Sequence, residues 1–276
     1  MSGTPPPLAP AGRAFWEDVA GAYGSESGYF ERAGMLTVAA AGLRAGERVA
    51  DIACGTGACL LPAARGVGPA GTVVGVDQSE TMAARARQAL AAAGAGNARV
   101  ATGDAGALPL AAGSFDAVLC GLGVGFFTDL RRAVAEIARV LRDGGRFAWS
   151  VAAGGGSEWA FLRRAYARFG LLRMMTQARA AQDTGSMPAA LDQAGLTPAA
   201  QERHVVQVRF AGFDAWWEWL MASGMREFIN RLDQSQQSLF RALVRAGASG
   251  ITDDSGLVLR QNFIVRSAVK NARWSP

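Results

Sequence analysis

The stretch "VADIACGTGACL", Val49 to Leu60, decides the fold. A short apolar run carries an acid, Asp51, near its end and then breaks at two glycines one residue apart, Gly55 and Gly57. A helical pattern resumes at Ala58. Strand, glycine turn and helix in that order open a βαβ unit, and glycine lets the turn backbone come close to a ligand because it has no Cβ. Three readings of the turn compete. A phosphate loop needs Gly-Lys-Ser/Thr, and this turn has no Lys. A dinucleotide fingerprint needs a third glycine where Leu60 stands. The third reading is a ligand without phosphate.

Working outward, the pattern repeats. Apolar runs over 47–54, 71–77, 98–104, 114–121 and 144–152 read as strands, and the second and third close on Asp77 and Asp104. Helical spacing over 58–65, 80–93 and 130–141 separates them, with Ser79 as a cap and Gly94 and Gly96 as a stop. Two helices, 15–23 and 29–41, precede the first strand. After Ala153 the rhythm changes to helices over 157–181 and 187–194, a strand over 201–210, a helical insert from "FDAWWEWLMASG" to about Ala246, and a last strand over 257–268. The expectation is an α/β doubly wound, seven-stranded, mostly parallel sheet with a late antiparallel hairpin and helical cap inserts at about 157–185 and 212–248. Residues 1–46 supply a tail and helices, 47–153 the ligand-binding core, and 154–276 the rest of the sheet with its cap. In such sheets ligands sit at the carboxyl ends of the strands, where Asp51, Asp77 and Asp104 fall.

Composition narrows the function. Half of the 276 residues are apolar and 18% are charged, which suits a packed core. The net charge of +5 arises after Ser150, from scattered arginines and the single Lys270, with no basic stripe of the kind that nucleic acid selects. Three cysteines, Cys54, Cys59 and Cys120, and one histidine form no metal-ligand spacing, so no metal is expected, and the thiols suit a reducing compartment. No run is apolar enough to span a membrane, and "MSGTPPPLAPAG" lacks the pattern of a signal peptide. The expected location is the cytoplasm.

Asp51 disfavours a pyrophosphate and favours a ligand with a cationic group. S-adenosylmethionine has that profile: a sulfonium, an ammonium, a ribose diol and an adenine. Four segments carry a resemblance in this order: "VADIACGTGACL", "VVGVDQSETMAARAR", "VATGDAGALPLAAGSFDAVLCGLGVGFF" and "AVAEIARVLRDGGRFAWS", together about Arg48 to Ser150. The chain resembles the class I S-adenosylmethionine-dependent methyltransferases, in particular the ubiquinone/menaquinone-biosynthesis-like (methyltransferase type 11) and natural-product tailoring enzymes. The resemblance implies a Rossmann-like sheet and S-adenosyl-L-methionine as cofactor. It implies Asp51, Cys54, Gly55 and Gly57 at the methionine end, Asp77 on the ribose beside Gln78, and Met82 as a wall of the base. Asp104 and Ala105 would meet the adenine, and Cys120 and Gly121 would open the transfer cleft. The family turn carries a further glycine where this chain has Ala58. The Asn/Asp-Pro-Pro-Tyr sequence of enzymes acting on exocyclic amines is replaced by "CGLGVGF".

Methyl transfer is an in-line displacement that depends on alignment and exclusion of water, with a general base needed only for poorly acidic acceptors. Tyr23, Glu26 and His204 are the rival candidates for a catalytic group. Tyr29, Phe30, Phe126, Phe127 and the run Trp216, Trp217, Trp219, Met221 and Met225 either line an acceptor pocket or glue the insert to the sheet. The expected partner is a small, hydrophobic methyl acceptor, with O-, C- or N-methylation open, no nucleic acid and a homo-oligomer allowed. A fold-mate catalysing cyclisation or isomerisation, an NAD-dependent oxidoreductase and a non-catalytic binding protein are the alternatives.

Overall fold

The computed structural model describes residues 12–21, 23, 28–172, 186–254 and 256–272. Two helices lead the chain, α1 (Arg13–Val19) and α2 (Tyr29–Ala41). The core then alternates β1 (Arg48–Ile52), α3 (Leu60–Val67), β2 (Thr72–Asp77), α4 (Glu80–Ala92), β3 (Ala98–Thr102), β4 (Phe115–Gly121), α5 (Leu130–Val140) and β5 (Leu141–Gly155). Beyond it come α6 (Ala160–Arg168), α7 (Ser186–Gln193), β6 (Leu196–Phe210), α8 (Phe213–Met221), α9 (Arg226–Ile229), α10 (Gln234–Ser249), β7 (Thr252–Asp253) and β8 (Gly256–Lys270).

The sheet order is β3-β2-β1-β4-β5-β8-β6, with the two-residue β7 pairing on β8 as an eighth strand outside the seven expected. Strands β1 to β5 pair in parallel, and β8 runs antiparallel to both β5 and β6. The chain reverses its direction of travel across the sheet between β1 and β4, which opens a crevice at their carboxyl ends.

The central strands read as unbroken apolar runs because both of their faces are covered. On one face Ala50, Ile52, Val74, Val76 and Val118 pack with Val134 and Ile137 of α5 and Met187 and Leu191 of α7. On the other, Val49, Val73, Ala117 and Leu119 pack with Leu60, Ala63 and Val67 of α3 and Ala86 and Leu90 of α4. A third core belongs to the cap. There Trp216, Trp219 and Leu220 of α8 pack with Phe161 and Tyr166 of α6, Phe240 and Val244 of α10, and Phe210, Leu257 and Phe263 of the late hairpin. The tryptophan run therefore closes the cap's own interior. Trp216 is fully buried, and only Trp217 is left at the cap surface under the Arg241 guanidinium.

Two contacts lock α2 to the sheet. Arg146 of β5 places both terminal nitrogens on the Glu47 carboxylate (3.0 and 2.6 Å) and donates to the carbonyls of Ala41 and Gly42. Such a bidentate pair fixes geometry as well as charge. Two turns earlier in α2, Gly34 lies against the backbone that follows the glycine turn. A Cβ at Gly34 would run into the Ala58 carbonyl, with its carbon 2.6 Å away. Gly34→Ala is therefore expected to destabilise the fold by about 1–3 kcal/mol, the range for forced overpacking, seen as a lower urea midpoint with an unchanged slope.

Candidate ligand cleft and its carboxylates

A cleft of about 300 Å³ opens at the β1–β4 reversal. Its floor is Ile52 at the end of β1 with Ala53 and Gly55 beyond it, and Gly121 at the end of β4 with Leu122 and Gly123 beyond it. Asp77, Gln78 and Met82 form one wall, and Asp104, Ala105 and Arg132 form another. Gly55 (φ +53°) and Gly57 (φ +102°) occupy the left-handed region that favours glycine, whereas Ala58, where the family carries a further glycine, does not.

The amide groups of the turn point inward. The Gly55 N–H donates to Asp77 Oδ2 (2.8 Å), and the Gly57 N–H donates to the Cys54 carbonyl (2.9 Å). The Ser79 N–H donates to Asp77 Oδ1 (2.9 Å), and Ser79 Oγ caps α4 by accepting from the Met82 N–H (3.1 Å). Asp77 is thus held at both oxygens, each keeping a second lone pair. Burial pushes its carboxyl up, and the bonds from Ser79 and Gly55 oppose that shift. Asp51 lies beneath the floor, 1% exposed, and neither of its oxygens has a hydrogen-bond partner. Burial first, and the neighbouring Asp77 second, push its carboxyl well above the ordinary aspartate range.

The Asp104 loop is held from α5. Asp104 Oδ1 accepts from the Gly106 N–H (2.6 Å), and Arg132 Nε donates to the Gly106 carbonyl (2.6 Å). Glu136 accepts from the Leu108 N–H (2.7 Å), and Arg139 donates to the carbonyls of Leu108 and Leu110. Residues 132, 136 and 139 share one face of a helix.

Two non-glycine residues of the floor, Ala53 (φ +54°) and Leu122 (φ +61°), are left-handed, a conformation that costs about 1–2 kcal/mol each. The Leu122 N–H donates to Ser150 Oγ (3.3 Å), and Thr37 Oγ1 lies 2.8 Å from both Ser150 Oγ and the Ala33 carbonyl. These two hydroxyls, both fully buried, tie the strained floor to α2.

The structure sorts the expected site residues. Gly55, Asp77, Gln78, Met82, Asp104, Ala105 and Gly121 line the cleft. Asp51, Cys54, Gly57 and Cys120 do not, because they lie behind its wall. Cys54 Sγ fills the space beside Gly75, and Cys120 Sγ packs beneath Gly123. Burial raises all three thiols well above their ordinary range, so they are neutral. Tyr23 lines the cleft and stacks on Phe30 (4.2 Å). Burial, followed by the charge of Asp77, drives its phenol far up, so it stays protonated at neutral pH. His204 is not brought to the cleft. It sits on β6 at the sheet edge, facing Glu202 (3.2 Å). Glu26 lies outside the described residues. Trp16, Leu122, Thr128 and Arg132 line the cleft unannounced by any motif. Among the described residues no cluster could hold a metal ion and no helix is long and apolar enough to cross a membrane.

Asp51 carries a linkage consequence. Its folded value is raised, so between the unfolded aspartate value of about 3.9 and the folded one the native state holds the extra proton. Stability is then greatest at low pH and falls as pH rises through that window. Asp51→Asn is expected to be more stable than the parent at pH 8, with the gap closing towards pH 4, as read from urea midpoints at both values.

Residues 49–145 match the family described as "Methyltransferase domain". Nocamycin O-methyltransferase of Saccharothrix syringae is 43% identical over 103 residues, 37% of either chain. Aklanonic acid methyltransferase of a Streptomyces species is 42% identical over 105 residues, 38% of this chain and 48% of that one. Demethylmenaquinone methyltransferase of Shouchella clausii is 38% identical over 104 residues, 38% of this chain and 44% of that one. The aligned stretch therefore spans less than half of each of these relatives. Among solved structures, the YcgJ protein of Bacillus subtilis superposes with a TM-score of 0.57 at 20% identity, covering 87% of this chain and 99% of that one. The [4+2]-cyclase SpnF gives 0.53 at 18%, covering 94% and 93%. These two likenesses speak for the fold alone. The carboxylate-anchored glycine turn, from Gly55 to Asp77, lies within the stretch that matches this domain.

Proposed function

We propose that the cleft binds S-adenosylmethionine and that the chain directs its methyl group to a small, largely apolar metabolite. The observation that carries this reading is the fate of the turn amides. Gly55 and Gly57, whose N–H groups would face a pyrophosphate in a dinucleotide site, spend them on Asp77 and Cys54. What the cleft offers instead is carboxylate: Asp77 and Asp104 on its walls and the partnerless Asp51 beneath its floor. That set suits hydroxyls, an amine and a sulfonium, and repels phosphate.

When bound, the cofactor supplies an electrophilic methyl group on sulfur. Asp77, locked by Gly55 and Ser79, would accept the ribose hydroxyls on its remaining lone pairs. Asp104 and the Ala105 backbone would meet the base against Met82. The Ala53 and Leu122 backbones would form the amino-acid end above Asp51, whose partnerless carboxyl would release its proton to pair with a cation. Tyr23 and Trp16 close the outer side and exclude water. Tyr23, protonated at neutral pH, can donate a hydrogen bond, so among the described cleft residues it acts as an orienting group. Acceptors that are already acidic or nucleophilic fit a site that relies on alignment.

The nature of the relatives supports a small acceptor, since those above are named for nocamycin, aklanonic acid and demethylmenaquinone. The arrangement of charge supports it too. Arg226 is engaged by Asp18, Arg241 and Arg245 by Asp214, and Arg260 by Glu158, which fragments any basic surface for nucleic acid. The free, buried cysteines fit a reducing compartment such as the cytoplasm.

Calorimetry tests the cofactor. Micromolar binding of S-adenosylmethionine and S-adenosylhomocysteine is expected, without binding of NAD. Asp77→Ala should weaken it at least about a hundredfold, the equivalent of two hydrogen bonds to a charged group. Binding of NAD in place of the sulfonium compound sinks the reading.

A further inference from the structure

The wall of the cleft formed by α1 is unlike the others. Apart from Trp16 and Tyr23, the lining residues sit on strand ends or on the loops and helices that directly follow them. Trp16 comes from a helix earlier in the chain than the whole sheet. Its ring meets Phe126 edge-on at 4.8 Å and packs on Met82. Because α1 shares no backbone with the sheet, it can leave the cleft without disturbing a single strand pairing.

Three polar contacts fasten it, and Glu17 makes the most extensive of them. The Glu17 carboxylate accepts from the backbone N–H groups of Glu80 (2.8 Å) and Thr81 (3.0 Å) and from the Thr81 hydroxyl. Those two amides are the first donors of α4, which a helix leaves unsatisfied, and a carboxylate there also meets the positive end of the helix dipole. The third donor, Met82, is already taken by Ser79, so Glu17 completes the cap from another element. The hydrogen bond from Thr81 is the largest cause that lowers the Glu17 carboxyl to about 2, so it stays charged at neutral pH. Arg85 reaches the Ala20 carbonyl on the same side. Asp18 pairs with Arg226 of the cap at 2.6 Å. The helix start that Glu17 grips follows directly on Asp77, Gln78 and Ser79, so fastening α1 there places Trp16 over the nucleoside wall.

Resting on the reading of the cleft given above, we propose that Glu17 is a positioning residue for the cofactor: the catch that holds α1 shut and sets how long the bound nucleoside stays. The carboxylate touches no ligand. It acts through Trp16. Side-chain exposure of 29% at Glu17 makes the contact one that can break and reform.

The test is a chase. Protein loaded with radiolabelled S-adenosylmethionine is mixed with excess unlabelled S-adenosylhomocysteine, and the loss of bound label is followed for the parent, Glu17→Ala, Glu17→Gln and Arg13→Ala. Glu17→Ala should release label roughly tenfold faster, in line with losing charge-assisted hydrogen bonds. Glu17→Gln, which keeps one acceptor oxygen but no charge, should fall between it and the parent. Arg13→Ala, which removes only the exposed partner of Glu17, should match the parent. Binding stoichiometry and urea midpoint separate the catch from misfolding: a damaged fold lowers the bound fraction, whereas a lost catch leaves it intact and changes the rate. Unchanged release from Glu17→Ala, or faster release only in proportion to lost stoichiometry, overturns the proposal while the reading of the cleft stands. Failure of the parent to bind the cofactor overturns both.

Discussion

The hydrogen bond from the Gly55 amide to Asp77 is the constraint on which the cleft depends. It joins the turn after β1 to the end of β2, and it can form only because these strands run in parallel and in register, with Asp51 opposite Gly75. The glycine conformation at residue 55 aims the amide sideways, and the carboxylate that receives it is thereby aimed into the cleft. The second oxygen is fixed by Ser79, whose hydroxyl begins α4. A single carboxylate therefore sets the turn, the strand end and the helix start together. It does so at low dielectric, where each of these bonds counts for more than it would in water.

Strain is concentrated opposite that anchor. Ala53 and Leu122 hold left-handed backbones on the two strands that flank the crevice. Gly123 lets them meet, since a Cβ there would stand 2.7 Å from that of Ala53 and 2.8 Å from Cys120 Sγ. The conformation survives because the surroundings over-determine it: Ser150, itself held by Thr37, accepts from the Leu122 amide, and Arg146 with Glu47 pins α2 to the sheet. Backbone strain of this kind gathers where a ligand must meet backbone groups rather than side chains.

The sequence made the parallel half of the fold legible because burial on both faces writes itself as apolar runs ending in acids. The same rule explains what was not legible. Over residues 197–203, β6 is exposed throughout, so it carries no alternation and its expected start falls at 201 rather than Leu196. The aromatic run of α8 fits a core or a pocket equally well by composition, and only the packing against Phe161 and Phe240 assigns it to the cap interior. His204 does share a face with Val206 and Val208, as alternation requires, yet that face belongs to the outermost strand. Ala53 has no signature, because an alanine forced left-handed looks like any other alanine. Glu17 was equally silent, since its partners lie more than sixty positions away.

What remains is how the two halves of the molecule communicate. The cores around the parallel strands and the core of the cap are separate, so the cap can be remodelled without loosening the carboxylate anchor. They are nevertheless joined by a continuous path of rings. Tyr23, in the cleft, stacks on Phe30; Phe30 meets Tyr29 at 5.2 Å; Tyr29 meets Trp219 of the cap at 4.8 Å and Phe263 of β8 at 5.1 Å. A second link runs through Phe126, which touches Trp16 on one side and leaves room only for a glycine, Gly224, on the other. Rings packed this closely move as a unit, because interiors at crystal-like density transmit displacement rather than absorb it. A displacement in the cap is therefore carried to Tyr23 and Trp16, which both line the cleft. Both belong to the segment of the chain that precedes the sheet, so that segment couples the cap to the cleft.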